Sequence, residues 1–136
     1  MAELRVYPQG FRELARGLGG IQVSRVLQPP MVRGLERFRS SLGVYPAKGD
    51  STTYRRTGRL GRSWAISYTI NARGMTGETG TNAEYARWVQ DDELQAWMHR
   101  GRWLNTDEQV AQQHRGAILS DFTTVIQGEL SRAARR

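Results

Sequence analysis

Residues 63–70 read Ser-Trp-Ala-Ile-Ser-Tyr-Thr-Ile, an unbroken alternation that constrains the fold more than any other stretch of the chain. Successive side chains of a strand point to opposite faces, so the spacing predicts a strand here. Trp64, Ile66, Tyr68 and Ile70 take one face; Ser63, Ala65, Ser67 and Thr69 take the other. Residues 71–74 (NARG) read as a turn, and 75–81 (MTGETGT) as a second, glycine-diluted strand that pairs back to form a hairpin.

Helical spacing governs the other long segments. From Thr106 onward, Val110, His114, Ala117, Ile118, Asp121, Phe122, Val125, Ile126, Glu129 and Leu130 trace one stripe, which predicts a helix over 107–133 of about 40 Å. Thr106 and Gln109 fit a capping box, and Asp107 and Glu108 suit the positive end of the helix. Gly116 and Gly128 weaken it. Earlier, Pro29-Pro30 fit a first helical turn, with Met31, Leu35, Phe38 and Leu42 behind them and Gly43 and Pro46 as the stop.

Shorter elements fill the rest. Residues 3–7 suit a short strand or an arm, and 11–18 a short amphipathic helix. Residues 21–28 are ambiguous. Residues 82–90 predict a short helix capped by Asn82, with Tyr85, Trp88 and Val89 on one side. Residues 91–104 suit a second hairpin or a loop. Between these lies 43–62 (GVYPAKGDSTTYRRTGRLGR), a long loop rich in glycine and arginine; a stretch this long is usually functional or mobile.

The composition excludes several classes of function. The 136 residues make one domain, and zero cysteine excludes a disulfide scaffold, a thiolate metal site and a cysteine nucleophile. No apolar run approaches the ~20 residues of a membrane helix. The N-terminus MAELRVYPQG has no apolar core, so no secretory signal is expected. His99 and His114 are the two histidines, and no carboxylate recurs at ligand spacing beside them. Asp91-Asp92-Glu93 suits a solvated loop better than a catalytic dyad. No phosphate-binding loop occurs. These readings predict no catalytic, metal or cofactor site.

The net charge is +7 and unevenly placed. Residues 1–64 carry 12 cations and 4 acids, residues 65–131 carry 5 cations and 9 acids, and the last five residues add three arginines. Lys48 is the single lysine among 20 cations. Arginine forks onto carboxylates and phosphates and stacks on rings, so it suits interfaces. Arg55, Arg56, Arg59 and Arg62, interleaved with Tyr54 and Trp64, could grip a nucleic-acid backbone or form a protein contact. Trp64 reads as core. Trp88, Trp97 and Trp103 cluster in the acidic half, and tryptophan with arginine dominates protein interfaces. The opposed halves suit head-to-tail pairing between copies.

Three blocks then occur in order. Arg56-Thr57-Gly58 precedes Leu60 and Ser63; Gly80, Thr81 and Asn82 precede Tyr85, Ala86, Trp88 and Val89; His99 precedes Gly101-Arg102-Trp103. Over residues 31–130 this order resembles the neck, or head-to-tail joining, proteins of long-tailed bacteriophages, also described as tail-completion or minor structural proteins. DDELQ at 91–95 departs from it, since many relatives carry a glycine there.

The resemblance implies an α+β fold: a small antiparallel sheet packed on two main helices, with a long arginine-rich loop. It implies a single domain over 1–136, comprising an N-terminal arm or short helix over 1–30, an extended loop over 43–62 and a C-terminal helix over 106–134. It implies a non-enzymatic virion protein, assembled in the host bacterial cytoplasm, with no cofactor and no membrane contact. The protein would form a ring in the neck, a hexamer or else a dodecamer. It would meet head connector or adaptor proteins on one side and tail terminator or tail tube proteins on the other, with DNA in the lumen. Tyr54, Arg55, Arg56, Arg59 and Arg62 would serve as a contact arm, and Trp88, Trp97 and Trp103 as an aromatic interface. The alternatives are a basic nucleic-acid-binding protein, and a tail terminator or assembly factor.

Overall fold

The computed structural model describes residues 2–6, 20–46, 58–71, 74–91, 93–100, 102–103 and 108–135. Their elements run β1 (Ala2–Val6), α1 (Gly20–Leu42), α2 (Arg59–Ser63), β2 (Trp64–Asn71), β3 (Gly74–Thr81), α3 (Ala86–Gln90), a 3-10 turn (Trp97–His99) and α4 (Glu108–Ala134). The expected 11–18 helix, the Thr106 cap and loop residues Tyr54, Arg55 and Arg56 lie outside the described residues.

The fold is α+β, with two main helices and a small antiparallel sheet. The sheet order is β1-β3-β2, which puts the glycine-rich strand in the centre. Trp64 pairs with Thr81 and Asn71 with Gly74, while Ala2 pairs with Thr79 and Val6 with Met75. The hairpin therefore forms as its alternation predicts. Residues 2–6 add a third strand rather than hanging as an arm.

β3 is central because of what faces it. Helix α1 packs across β2 and β3 and along α4. Met75, Gly77 and Thr79 are buried against it, between half-exposed Thr76, Glu78 and Gly80. A Cβ on Gly77 would come within 2.8 Å of both Leu35 Cδ1 and Met31 Sδ, so glycine lets the helix approach the sheet. The Thr79 hydroxyl donates to the Leu35 carbonyl at 3.1 Å, which satisfies a buried polar group where the two layers touch.

Helix α1 begins nine residues before Pro29, and both prolines lie inside it. The expected start at the prolines is therefore corrected. An interior proline removes a helix hydrogen bond and costs roughly 3 kcal/mol. Against that cost, Val23, Leu27, Met31, Leu35, Phe38 and Leu42 are all buried, and their i, i+4 stripe runs unbroken through the prolines. Each such side chain contributes roughly 1.5–3 kcal/mol on burial, so packing outweighs the local penalty. The 1–30 division dissolves: residues 20–30 are the first half of the central helix.

Helix α4 follows its predicted stripe. Val110, Ile118 and Phe122 are buried in the main core with Trp64, and Ile126 packs against them. Asp121, a polar member of the stripe, accepts from Arg37 at 3.2 Å and lies 3.8 Å from Arg33. His114 lies 2.5 Å from the Ser41 hydroxyl. These polar positions face α1, which explains why they fall on the stripe.

Candidate functional site

Within the loop expected over 43–62, residues 59–63 form helix α2, and 47–57 lie outside the described residues. Its two ends are fastened together. The Gly61 N–H donates to the Tyr45 hydroxyl at 3.0 Å. A Cβ on Gly61 would lie 2.9 Å from the Gly43 carbonyl, so only glycine permits this approach. Gly58 turns the chain into α2 with φ +76°, in the left-handed region that glycine adopts without strain. Residues 43–45 and 61 thus stand side by side. Arg59 and Arg62 are exposed on α2, with the Arg62 guanidinium near Gly58.

Behind this base lies a second, smaller core of Leu60, Ala83, Ala86 and Val89, with Tyr45 and Trp103 packed on it. The Tyr45 and Trp103 rings meet edge-on, 5.0 Å between centroids. Ser63 hydrogen-bonds Thr81 and also donates to the Leu60 carbonyl at 2.7 Å. Thr81 in turn accepts from the Ala83 N–H at 3.1 Å. The His99 ring stands edge-on to Trp103 at 6.4 Å. All three sequence blocks, around Leu60-Ser63, Thr81-Val89 and His99-Trp103, therefore converge on one cluster.

Residues 82–90 differ from expectation. Helix α3 covers 86–90, starting with the Ala86 N–H on the Ala83 carbonyl, and Asn82 is exposed ahead of it. Val89 points inward, whereas Tyr85 and Trp88 point to solvent. A helix of five residues has a single buried flank, and Ala86, Val89 and Gln90 occupy it. The 91–104 segment forms a folded loop and a 3-10 turn in place of a hairpin. The Asp91 carboxylate accepts from the N–H groups of Glu93 and Leu94. The Ala96 N–H donates to the Trp88 carbonyl at 2.8 Å, folding the segment back along α3.

Two buried glutamines organise this region, and the sequence reading missed both. Gln90 donates to the Leu42 carbonyl at 3.1 Å, tying α3 to the open end of α1. The Gln95 amide donates to the Val89 carbonyl at 2.6 Å and lies 3.3 Å from the Trp103 carbonyl. A glutamine inside a polar stretch reads as a surface residue, so only its partners reveal its role.

The result is an aromatic knuckle on a packed base. Trp97 is 80% exposed and Trp88 48%, with Leu94 and Met98 exposed beside them in sequence. The Arg87 guanidinium lies 5.1 Å from the Trp88 ring centre. Trp103 differs from the other two, because it is half-buried against Tyr45 and helps build the base. Next to the knuckle is a cleft of about 350 Å³, lined in part by buried Trp64 and exposed Asn82, Glu84 and Arg87.

Both histidines make contacts within the fold, His114 with Ser41 and His99 with Trp103. Burial lowers the pKa of His114, assisted by the Arg37 charge; burial lowers that of His99, assisted by Arg102. No group of three or more metal-ligating side chains occurs among the described residues. No helix among them is long and apolar enough to cross a membrane. No family model, curated protein or solved structure matches the chain.

Proposed function

We propose that this chain is a non-enzymatic structural protein of a bacteriophage virion, a ring subunit in the neck that joins the head connector to the tail. One observation carries the reading. The three blocks that resemble neck proteins meet in a single small core, and that core supports both the root of the arginine-rich segment and the outward-facing Trp88 and Trp97. Exposed indoles on a packed base suit a protein interface, where tryptophan contributes more than its share of binding energy. A ring needs heterologous contacts that close, which an arm root and an aromatic knuckle on one subunit can provide.

Arginine use favours protein contact over nucleic acid. Arg33 and Arg37 pair with Asp121, Arg39 with Glu36 and Arg132 with Glu129. Arginines already paired with carboxylates release fewer counterions on a phosphate backbone, so they contribute less to duplex binding. The neck ring is expected to hold six copies.

The test is genetic and visual. Interrupting the gene in a phage that carries it should leave filled heads and finished tails separate, and antibody labelling of wild-type particles should mark the head–tail junction. Label on free tails alone would favour a tail terminator. Joined, infectious particles without the protein would refute the neck assignment.

A further inference from the structure

The sheet ends in an unusual edge. β2 is a terminal strand whose one described neighbour is β3. Edge strands are normally guarded by charge, proline or a bulge, because their unpaired N–H and C=O groups template further pairing. β1, the other edge, carries Glu3 and Arg5. β2, Trp-Ala-Ile-Ser-Tyr-Thr-Ile-Asn, carries no charge and no proline along eight residues. Its register with β3 is continuous from Trp64 to Asn71, with no bulge.

The backbone direction follows from the hairpin. Two residues separate Asn71 from Gly74, so the ladder closes on a hydrogen-bonded pair there. Counting back by twos, Thr69, Ser67 and Ala65 bond to β3, while Ile70, Tyr68 and Ile66 turn their N–H and C=O groups to the open edge. The side chains on that edge are apolar and incompletely covered: Ile66 and Ile70 are half-buried, and Tyr68 is 38% exposed. Tyr68 is held in place by Gln28, whose amide donates to its hydroxyl at 2.7 Å.

We infer that the β2 edge is an interaction surface for a second copy of this chain, the two β2 strands pairing antiparallel about a two-fold axis through Ser67 to give one six-stranded sheet. The strand is self-complementary in this register. Trp64 falls opposite Ile70 of the second copy and Ile66 opposite Tyr68, pairs of an aromatic with a β-branched residue that stabilise sheets. Ala65 falls opposite Thr69, and Ser67 opposite itself. No like charges meet, because the strand has none. The helix-facing side chains would form one apolar strip across the junction. The contact is isologous and closes at two. It does not depend on the neck assignment and is tested without a virion.

Sedimentation across a wide concentration range should show the wild-type protein passing from monomer to dimer as its first step of association. Ser67→Lys places two cations together on the axis. It should weaken dimerisation about tenfold or more, with circular dichroism and melting temperature unchanged, since Ser67 is exposed. Mixing Ser67→Lys with Ser67→Glu protein should restore the dimer as a heterodimer. The native chain has no cysteine, so Ser67→Cys supplies an independent readout: mild oxidation should give a covalent dimer much faster than Ser120→Cys on the exposed face of α4. A strictly monomeric wild type, or self-association unaffected by Ser67→Lys but abolished by Trp88→Ser and Trp97→Ser, would each overturn the inference.

Discussion

At the scale of single residues, several positions do work that their type conceals. Gly77 looks like a dilution of a strand, yet the Leu35 and Met31 side chains occupy the place of its Cβ. Both neighbours are fully buried, so their ends can shift only by disturbing the core around them. Gly77→Ala should therefore cost roughly 1–3 kcal/mol by overpacking, read as a lower urea midpoint with an unchanged slope. The histidines are a second case. His99 and His114 both have pKa values lowered by burial, so the unfolded chain takes up protons first as pH falls. Their contribution to stability is complete above the ordinary histidine value of 6.5 and is lost as pH falls through the lower folded values. Thermal melts from pH 7.5 to pH 5 should show falling stability, and His114→Gln should flatten the curve. A curve that rises toward acid would contradict the burial seen at both rings.

At the scale of elements, periodicity was a good guide wherever the element is long and one-sided. The alternation at 63–70 became β2 within one residue, and the C-terminal stripe became α4. It failed where local chemistry and packing disagree. Pro29-Pro30 read as a start, yet α1 runs through them because Val23 and Leu27 are buried upstream. Asn82 read as a cap, yet the chain first turns at Ala83, where Thr81 takes the N–H. Glycines on α4 need no compensation of that kind. A Cβ on Gly116 or Gly128 would meet nothing within 4 Å. Gly116→Ala and Gly128→Ala should each stabilise the protein by about 0.5–1 kcal/mol through helix propensity alone, and the double variant should add the two. A loss of stability from either would mean that those turns are not helical in solution.

At the scale of the whole molecule, the charge pattern changes meaning. Along the chain it divides into a basic first half and an acidic second half. In space the halves interleave: Arg33 and Arg37 of α1 meet Asp121 of α4, and the root of the arginine-rich segment packs on Ala83, Ala86 and Val89. Among the described residues the two halves are therefore not held apart, and Leu60 of the basic half shares a small core with the helix that carries Trp88. Trp88 and Trp97 are exposed and belong to neither core cluster. Replacing both with serine should leave the melting transition nearly unchanged, within about 0.5 kcal/mol per site, while abolishing head–tail joining in a complementation assay. The same change at Trp103 should destabilise the protein, since it would remove the Tyr45 contact. Intact joining by the double variant would exclude the knuckle as the working surface.

What the amino-acid string determined by itself was the kind of each long element and the surplus of arginine and tryptophan; the α+β class was what the resemblance implied. The kinds of the elements follow from spacing, which is local, and the surplus from composition. What only the tertiary structure decided was direction and company. It chose which tryptophans face water, brought three separated blocks into one core, tied Tyr45 to Gly61, buried Gln90 and Gln95, and left β2 with β3 as its one neighbour among the described residues. Each of these depends on contacts between residues far apart in sequence. A side chain's exposure and the pairing of a carbonyl are set by what arrives opposite it, and no local period records that.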